Sequence, residues 1–257
     1  MELNYKKYGN KGQCIIILHG LLGSLDNWQT IAKILSEQYQ IYSIDQRNHG
    51  RSPHSDILNY DVLAEDLNNF IHQHQLENIV LLGHSMGGKV AMLYSLLYPE
   101  KVSKLIVVDI TPRNYSGGHE LILETMKTVD LKSITSRKTL EDFFMEQLKS
   151  LSLVQFVTKN LGRNSDNTFY WKCNLEAIVN NYKLLMSFPQ IQNKFSGKTY
   201  FIKGELSDYI QKDDNNIIQQ YFPNSKTFEI KNATHWVHAD NTEDFINTIH
   251  YILDEHE

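Results

Sequence analysis

The chain has 257 residues, enough for one compact domain with an insertion and for a core that closes without disulfides or metal. Apolar residues make up 41% and charged residues 21%, which excludes a disordered or collagen-like chain. A net charge of −5 argues against bulk nucleic-acid binding, and a mean hydropathy of −0.40, with no apolar run near spanning length, argues against a membrane span. Cys14 and Cys173 are the only cysteines and form no C-x-x-C pair, so neither a disulfide framework nor a zinc site is expected. With a polar first dozen residues, this points to a reducing, cytoplasmic setting.

In chain order, Cys14–Leu18 (CIIIL) reads as a buried strand ending at His19-Gly20. Trp28, Ile31, Ile34 and Leu35 share a helical face, and Ile41–Asp45 (IYSID) reads as a second strand. Val62, Leu63, Asp66, Leu67, Phe70 and Ile71 form a helical face on which Asp66 alone is polar. Ile79–Leu82 (IVLL) is a strand, and Met86 to Leu97 a helix closed by Pro99. Leu105–Asp109 (LIVVD), Thr199–Lys203 and Thr227–Ile230 are further strands, and Phe245, Ile246, Ile249 and Ile252 mark the last helix. Continuous apolar strands alternating with amphipathic helices mean an α/β fold, a mostly parallel sheet with helices on both faces.

The alternation stops after Pro112 and resumes near Lys194. Between them, Leu140, Phe143, Phe144 and Leu148 form one helical stripe, and Leu175, Ile178, Val179, Tyr182 and Leu185 another, with no convincing strand. Residues 113–195 carry 11 Lys/Arg against 8 Asp/Glu, a formal +3 beside −8 for the remainder. The expected organisation is a core of residues 1–112 and 195–257 with a helical cap, 113–194, inserted between them.

Gly83-His84-Ser85-Met86-Gly87 fits the G-x-S-x-G nucleophile elbow, with a strand before it and a helix after it. The turn would lift Ser85 to the sheet edge at the positive end of a helix. Acyl transfer develops an oxyanion that needs N–H donors placed in advance; Met86 and, from the His19–Gly23 loop, Leu21 are the candidates.

Eleven histidines compete for the base. His72, His74, His250 and His256 fall on helix or tail positions expected to be solvated. His119 has no motif around it, and His19, His49, His54 and His84 belong to turns. His235, first in the loop after the last strand, has the chain position a base requires, with His238 as its alternative and expected loop brace. Asp109, ending a buried strand, and Asp208, in the loop after the next, both qualify as the acid. Asp45–Ser52 reads as a hydrogen-bonded loop beneath the site.

These motifs together resemble the α/β-hydrolase superfamily over nearly the whole chain. The runs at 19–28, 45–55, 83–92, 107–112 and 234–239, with Trp171-Lys172-Cys173-Asn174-Leu175, are similar to the YbfF-type serine esterases. The resemblance implies a carboxylesterase for short acyl esters, some members also cleaving acyl-CoA thioesters, and no cofactor. It implies Ser85 as nucleophile, His235 as base and Asp109 as acid, with a serine at the later acid position, here Ser207, as a supporting group. The chain departs from the pattern at Thr234, where glycine is usual, and at Asp208, which keeps a second acid open. The motifs also leave open a cofactor-free C–C hydrolase or a lyase of menaquinone synthesis, and a non-catalytic ligand receptor. Oligomeric state is not encoded in these motifs.

Overall fold

In the computed structural model, which describes residues 1–255, nine strands form among the described residues. They are β1 (Tyr5–Tyr8), β2 (Cys14–Leu18), β3 (Gln40–Ile44), β4 (Ile79–His84), β5 (Val102–Val108), β6 (Leu161–Arg163), β7 (Phe169–Trp171), β8 (Lys198–Gly204) and β9 (Ser225–Ile230). Seven make one sheet in the order β1-β3-β2-β4-β5-β8-β9, with only β1 antiparallel to its neighbour. β6 and β7 form a separate antiparallel pair.

The helices are α1 (Gln29–Leu35), α2 (Tyr60–Gln73), α3 (Met86–Leu97), α4 (Glu120–Thr128), α5 (Arg137–Leu148), α6 (Leu151–Thr158), α7 (Leu175–Asn180), α8 (Tyr182–Met186), α9 (Asn215–Tyr221), α10 (Val237–Asp240) and α11 (Thr242–Asp254). Alternate strand residues serve opposite faces. Ile16 and Leu18 of β2 and Leu81 of β4 pack with α2 and α3, whereas Ile15, Ile17, Val80 and Leu82 pack with α1 and α11. Because both faces are covered, every residue of β2 and β4 is buried, and the strands read as unbroken apolar runs.

The structure departs from the sequence reading in several places. β1 (YKKY) is a largely exposed edge strand whose lysines hide any strand pattern. β6 and β7, three residues each, interrupt a segment read as wholly helical. Ile34 turns outward, 37% exposed, and Trp28 lies in a short 3-10 turn before α1. The stripe from Leu175 to Leu185 is two helices, broken at Asn181, whose side chain donates to the Ala177 carbonyl at 2.8 Å. His74 is half-buried against Phe70, and His256 lies outside the described residues.

Residues 113–194 leave the sheet after β5 and return at β8, and hydrogen bonds tie them to the core. The Lys89 ammonium, buried on α3, donates to the carbonyls of Met186 (3.0 Å) and Ser187 (2.8 Å) at the end of α8. Tyr60 donates to the Leu185 carbonyl at 2.7 Å. Asn174 caps α7 through its side chain and donates from its backbone to the Asn48 carbonyl at 2.9 Å, which gives the W-K-x-N segment a structural role.

The lone polar residue of the α2 face has a partner. Asp66 accepts from Arg47 Nε at 2.5 Å and Nη2 at 2.9 Å, in a pair almost closed to solvent. Removing one member of such a pair strands the other charge. Asp66→Ala should therefore cost about 3 kcal/mol in urea-unfolding free energy; a loss below about 1 kcal/mol would show that Arg47 finds another partner or solvent.

Candidate active site

The elbow forms because β4 runs directly into α3. Ser85 sits between them at φ 51°, ψ −116°, a strained conformation for a residue with a side chain. A Cβ on Gly87 would collide with the backbone carbonyls of Leu18 and His19, so only glycine lets α3 approach β2 this closely. Ser85 N–H is held by the Val108 carbonyl at 3.0 Å, and the Ser85 carbonyl begins the helix by accepting from Lys89 N–H. Ser85 is thus fixed at the carboxyl ends of the central strands, where open α/β sheets place their sites.

Asp109 follows β5 at φ 52°, and its N–H is bound by the Ile202 carbonyl of β8 at 2.8 Å. Its carboxylate has no exposed surface and receives three hydrogen bonds. Ser207 Oγ–H and His235 Nδ1–H, the latter at 2.8 Å, both donate to Oδ2, and Gly204 N–H donates to Oδ1 at 3.1 Å. A carboxylate only accepts, so the Nδ1 contact makes His235 the Nδ1–H tautomer and leaves Nε2 with its lone pair free.

Burial pushes the Asp109 carboxyl up to about 7, against the Ser207 and Gly204 hydrogen bonds, which lower it. Burial also pushes the His235 imidazole down to about 3. The His235 ring is accordingly neutral. Asp208, by contrast, is exposed, and its carboxylate makes no hydrogen bond or ion pair among the described residues. Ser207 supports Asp109 itself and also accepts from Tyr209 N–H at 3.3 Å.

The loop after β2 is braced from below. Gln46 Nε2 donates to the His19 carbonyl at 2.6 Å, Gln46 N–H donates to His19 Nε2 at 3.0 Å, and Leu22 N–H donates to His49 Nε2 at 3.2 Å. The Asp45–Ser52 segment is therefore a scaffold, as its composition implies. Asn160 reaches across from the inserted segment to the Leu22 carbonyl at 2.7 Å. With Leu22 committed to His49, the N–H groups of Leu21 and Met86 find no partner among the described residues. These are the two groups named from the motifs.

Ser85 and His235 line one cavity of about 390 Å³, walled by core residues and by the inserted segment, including Ile122, Leu148, Leu153 and Phe156. Ser85 Oγ and the His235 ring make no hydrogen bond to each other; the only side-chain hydrogen bond of the ring among the described residues is the one to Asp109. His84 donates Nε2–H to the His235 carbonyl at 2.8 Å, tying the elbow to the histidine loop. His238 stacks on Trp28 with ring centroids 4.2 Å apart, and its Nδ1 is buried without a partner among the described residues. Burial holds both rings well below the usual histidine range, and so neutral.

Two residues escaped the motifs. Tyr209 stacks on the His235 ring at 3.7 Å, and His119 of the inserted segment lines the cavity beside Ser85. Neither carries a local signal: one lies in a loop known only for its acids, the other follows two glycines.

Over residues 13–242 the sequence matches the alpha/beta hydrolase fold family. It is 38% identical to the sn-1-specific diacylglycerol lipase ABHD11 of Danio rerio, over 97% of this chain and 81% of that protein. It is 28% identical to Esterase YbfF of Escherichia coli (strain K12), over 94% and 93% of the two chains. Among solved structures, a marine microorganism esterase superposes with a TM-score of 0.96 at 41% identity, covering 98% of this chain and 99% of its own. By sequence, by sheet order and by the placement of its elbow serine, the chain belongs to the α/β-hydrolase family.

Proposed function

We propose that the protein is a serine carboxylesterase that cleaves uncharged esters of short to medium acyl chains through an acyl-enzyme on Ser85. The observation that carries this reading is the 2.8 Å contact between His235 Nδ1 and the fully buried Asp109, in a loop that opens onto the same cavity as Ser85.

In the first half-reaction the Ser85 hydroxyl proton passes to His235 Nε2 as Oγ bonds to the ester carbonyl carbon. The carbonyl oxygen gains the negative charge, which the Leu21 and Met86 N–H groups meet with donors already in place. Asp109 holds the ring and balances the charge of the imidazolium. As the intermediate collapses, the alkoxy oxygen leaves with the proton from Nε2. Water then repeats the sequence, giving its proton to His235 and releasing the acid and Ser85.

Residues 113–194 act as the cap in this reading. They supply apolar walls for the acyl and alcohol portions and exclude bulk water. No Lys or Arg lines the cavity among the described residues, which favours neutral esters over the acyl-CoA thioesters that the family resemblance raised as an option. The esterase and lipase names of the relatives support ester cleavage over the C–C hydrolase and lyase alternatives. Among the described residues no helix is long and apolar enough to cross a membrane. Two buried free cysteines fit the cytoplasmic placement we propose.

Ser85→Ala should reduce hydrolysis of p-nitrophenyl butyrate by about 10⁴-fold or more without changing the thermal midpoint greatly. Activity within about tenfold of wild type in the folded variant contradicts the assignment. The pH profile gives a second check. The reaction needs the Asp109 carboxylate, which burial raises toward about 7, so kcat/KM should climb through neutral pH and level off above it. The Ser207 hydrogen bond lowers that carboxyl, so Ser207→Ala should move the climb to higher pH. An unmoved climb, or one moved down, shows that Asp109 does not set it.

A further inference from the structure

The inserted segment presents one histidine beside the nucleophile. His119 lines the 390 Å³ cavity and also a smaller one of about 20 Å³ lined by Met86, Lys89, Ile110 and Met186. Ser85, Leu21 and Tyr209 line both as well, so His119 stands where the two spaces meet. The smaller space holds about one water-sized group, so the bulk of any ester lies on the other side.

The ring is placed by a built loop. Gly117 and Gly118 adopt φ 134° and 128°, open to glycine but not to other residues, and Glu120 accepts from Gly118 N–H at 2.7 Å. Tyr182 of α8 then fixes the imidazole. Its hydroxyl oxygen accepts from His119 N–H at 2.9 Å and lies 3.2 Å from His119 Nδ1. With the hydroxyl proton assigned to Nδ1, that nitrogen is the acceptor and the ring proton lies on Nε2. Nε2 has no hydrogen-bond partner among the described residues. Burial lowers the pKa of the ring, so it stands neutral, as an N–H donor.

The leaving alcohol receives its proton from His235, so the alcohol portion of the substrate lies on the His235 side of Ser85. His119 is on that side, since Tyr209, which stacks on the His235 ring, lines both spaces with it.

We propose, building on the esterase reading, that His119 is a specificity residue whose Nε2–H donates to an oxygen in the alcohol portion of the substrate. Esters whose alcohol carries an ether, hydroxyl or second ester oxygen close to the scissile bond are preferred over plain alkyl esters of the same size. A pocket donor left unpaired discriminates against a ligand lacking the acceptor.

The test compares methoxyethyl butyrate with n-butyl butyrate, which differ by one oxygen for one methylene. The ratio of their kcat/KM values is measured for wild type, His119→Leu, His119→Gln and Tyr182→Phe, with folding checked by thermal unfolding. Wild type should favour the ether ester by about fivefold more than His119→Leu does. His119→Gln, which keeps a donor, should recover part of the preference. Tyr182→Phe should lose part of it, and carries the test alone if the His119 variants do not fold. A ratio unchanged across these variants, or an equal loss on both esters, overturns the assignment. That failure is distinct from failure of the esterase reading, in which wild type cleaves neither ester and Ser85 takes no fluorophosphonate label.

Discussion

A carboxylate with no exposed surface, Asp109, stands at the carboxyl edge of the sheet, and the arrangement of the site follows from how its charge is met. Burying an ionised carboxyl is costly unless donors surround it. Ser207, Gly204 and His235 supply them, the first two from the end of β8 and its loop and the third from the loop after β9. Meeting the charge therefore draws the loop after β8 and the loop after β9 onto the end of β5. The orientation of the His235 ring is a consequence. Tyr209 stacks against its face, and His84 holds its backbone carbonyl, so the ring has one position and one tautomer.

The second constraint is the joining of insertion and core. A segment of about eighty residues with its own hairpin could swing as a unit, but its ties fall on the elements that carry the site. Lys89 lies one turn beyond Ser85 on α3 and grips the end of α8, while Asn160 grips the loop that bears Leu21. The carbonyls at a helix end favour a cation, and burial opposes it, bringing the Lys89 ammonium down to about 7. The position of the insertion and the geometry of the elbow are thus set by shared hydrogen bonds.

Much of this was legible in the sequence because sheet geometry converts chain position into spatial position. A residue that ends a buried parallel strand emerges at one edge, so Ser85 after β4 and Asp109 after β5 become neighbours without any long-range information. That Asp109 and not Asp208 meets the His235 ring follows the same principle, since one is aimed by a strand and the other lies in an exposed loop. His119 and Tyr209 could not be read this way. Their positions depend on how the insertion folds back, which rests on single contacts such as Tyr182 with His119, and on stacking between loops. β1 was hidden for a different reason. An edge strand with charged residues carries no apolar alternation, and only the pairing with β3 defines it.

The measurement that bears most directly on this account is the comparison of Asp109→Asn with Asp208→Asn, both folded, assayed for kcat on one activated ester. An asparagine at 109 can present its amide N–H to His235 and stabilise the wrong tautomer, so kcat should fall by about 10⁴-fold. Asp208→Asn, at an exposed carboxylate with no partner among the described residues, should leave kcat within about twofold. The reverse ranking would contradict the account and move the acid from the end of β5 to the loop after β8.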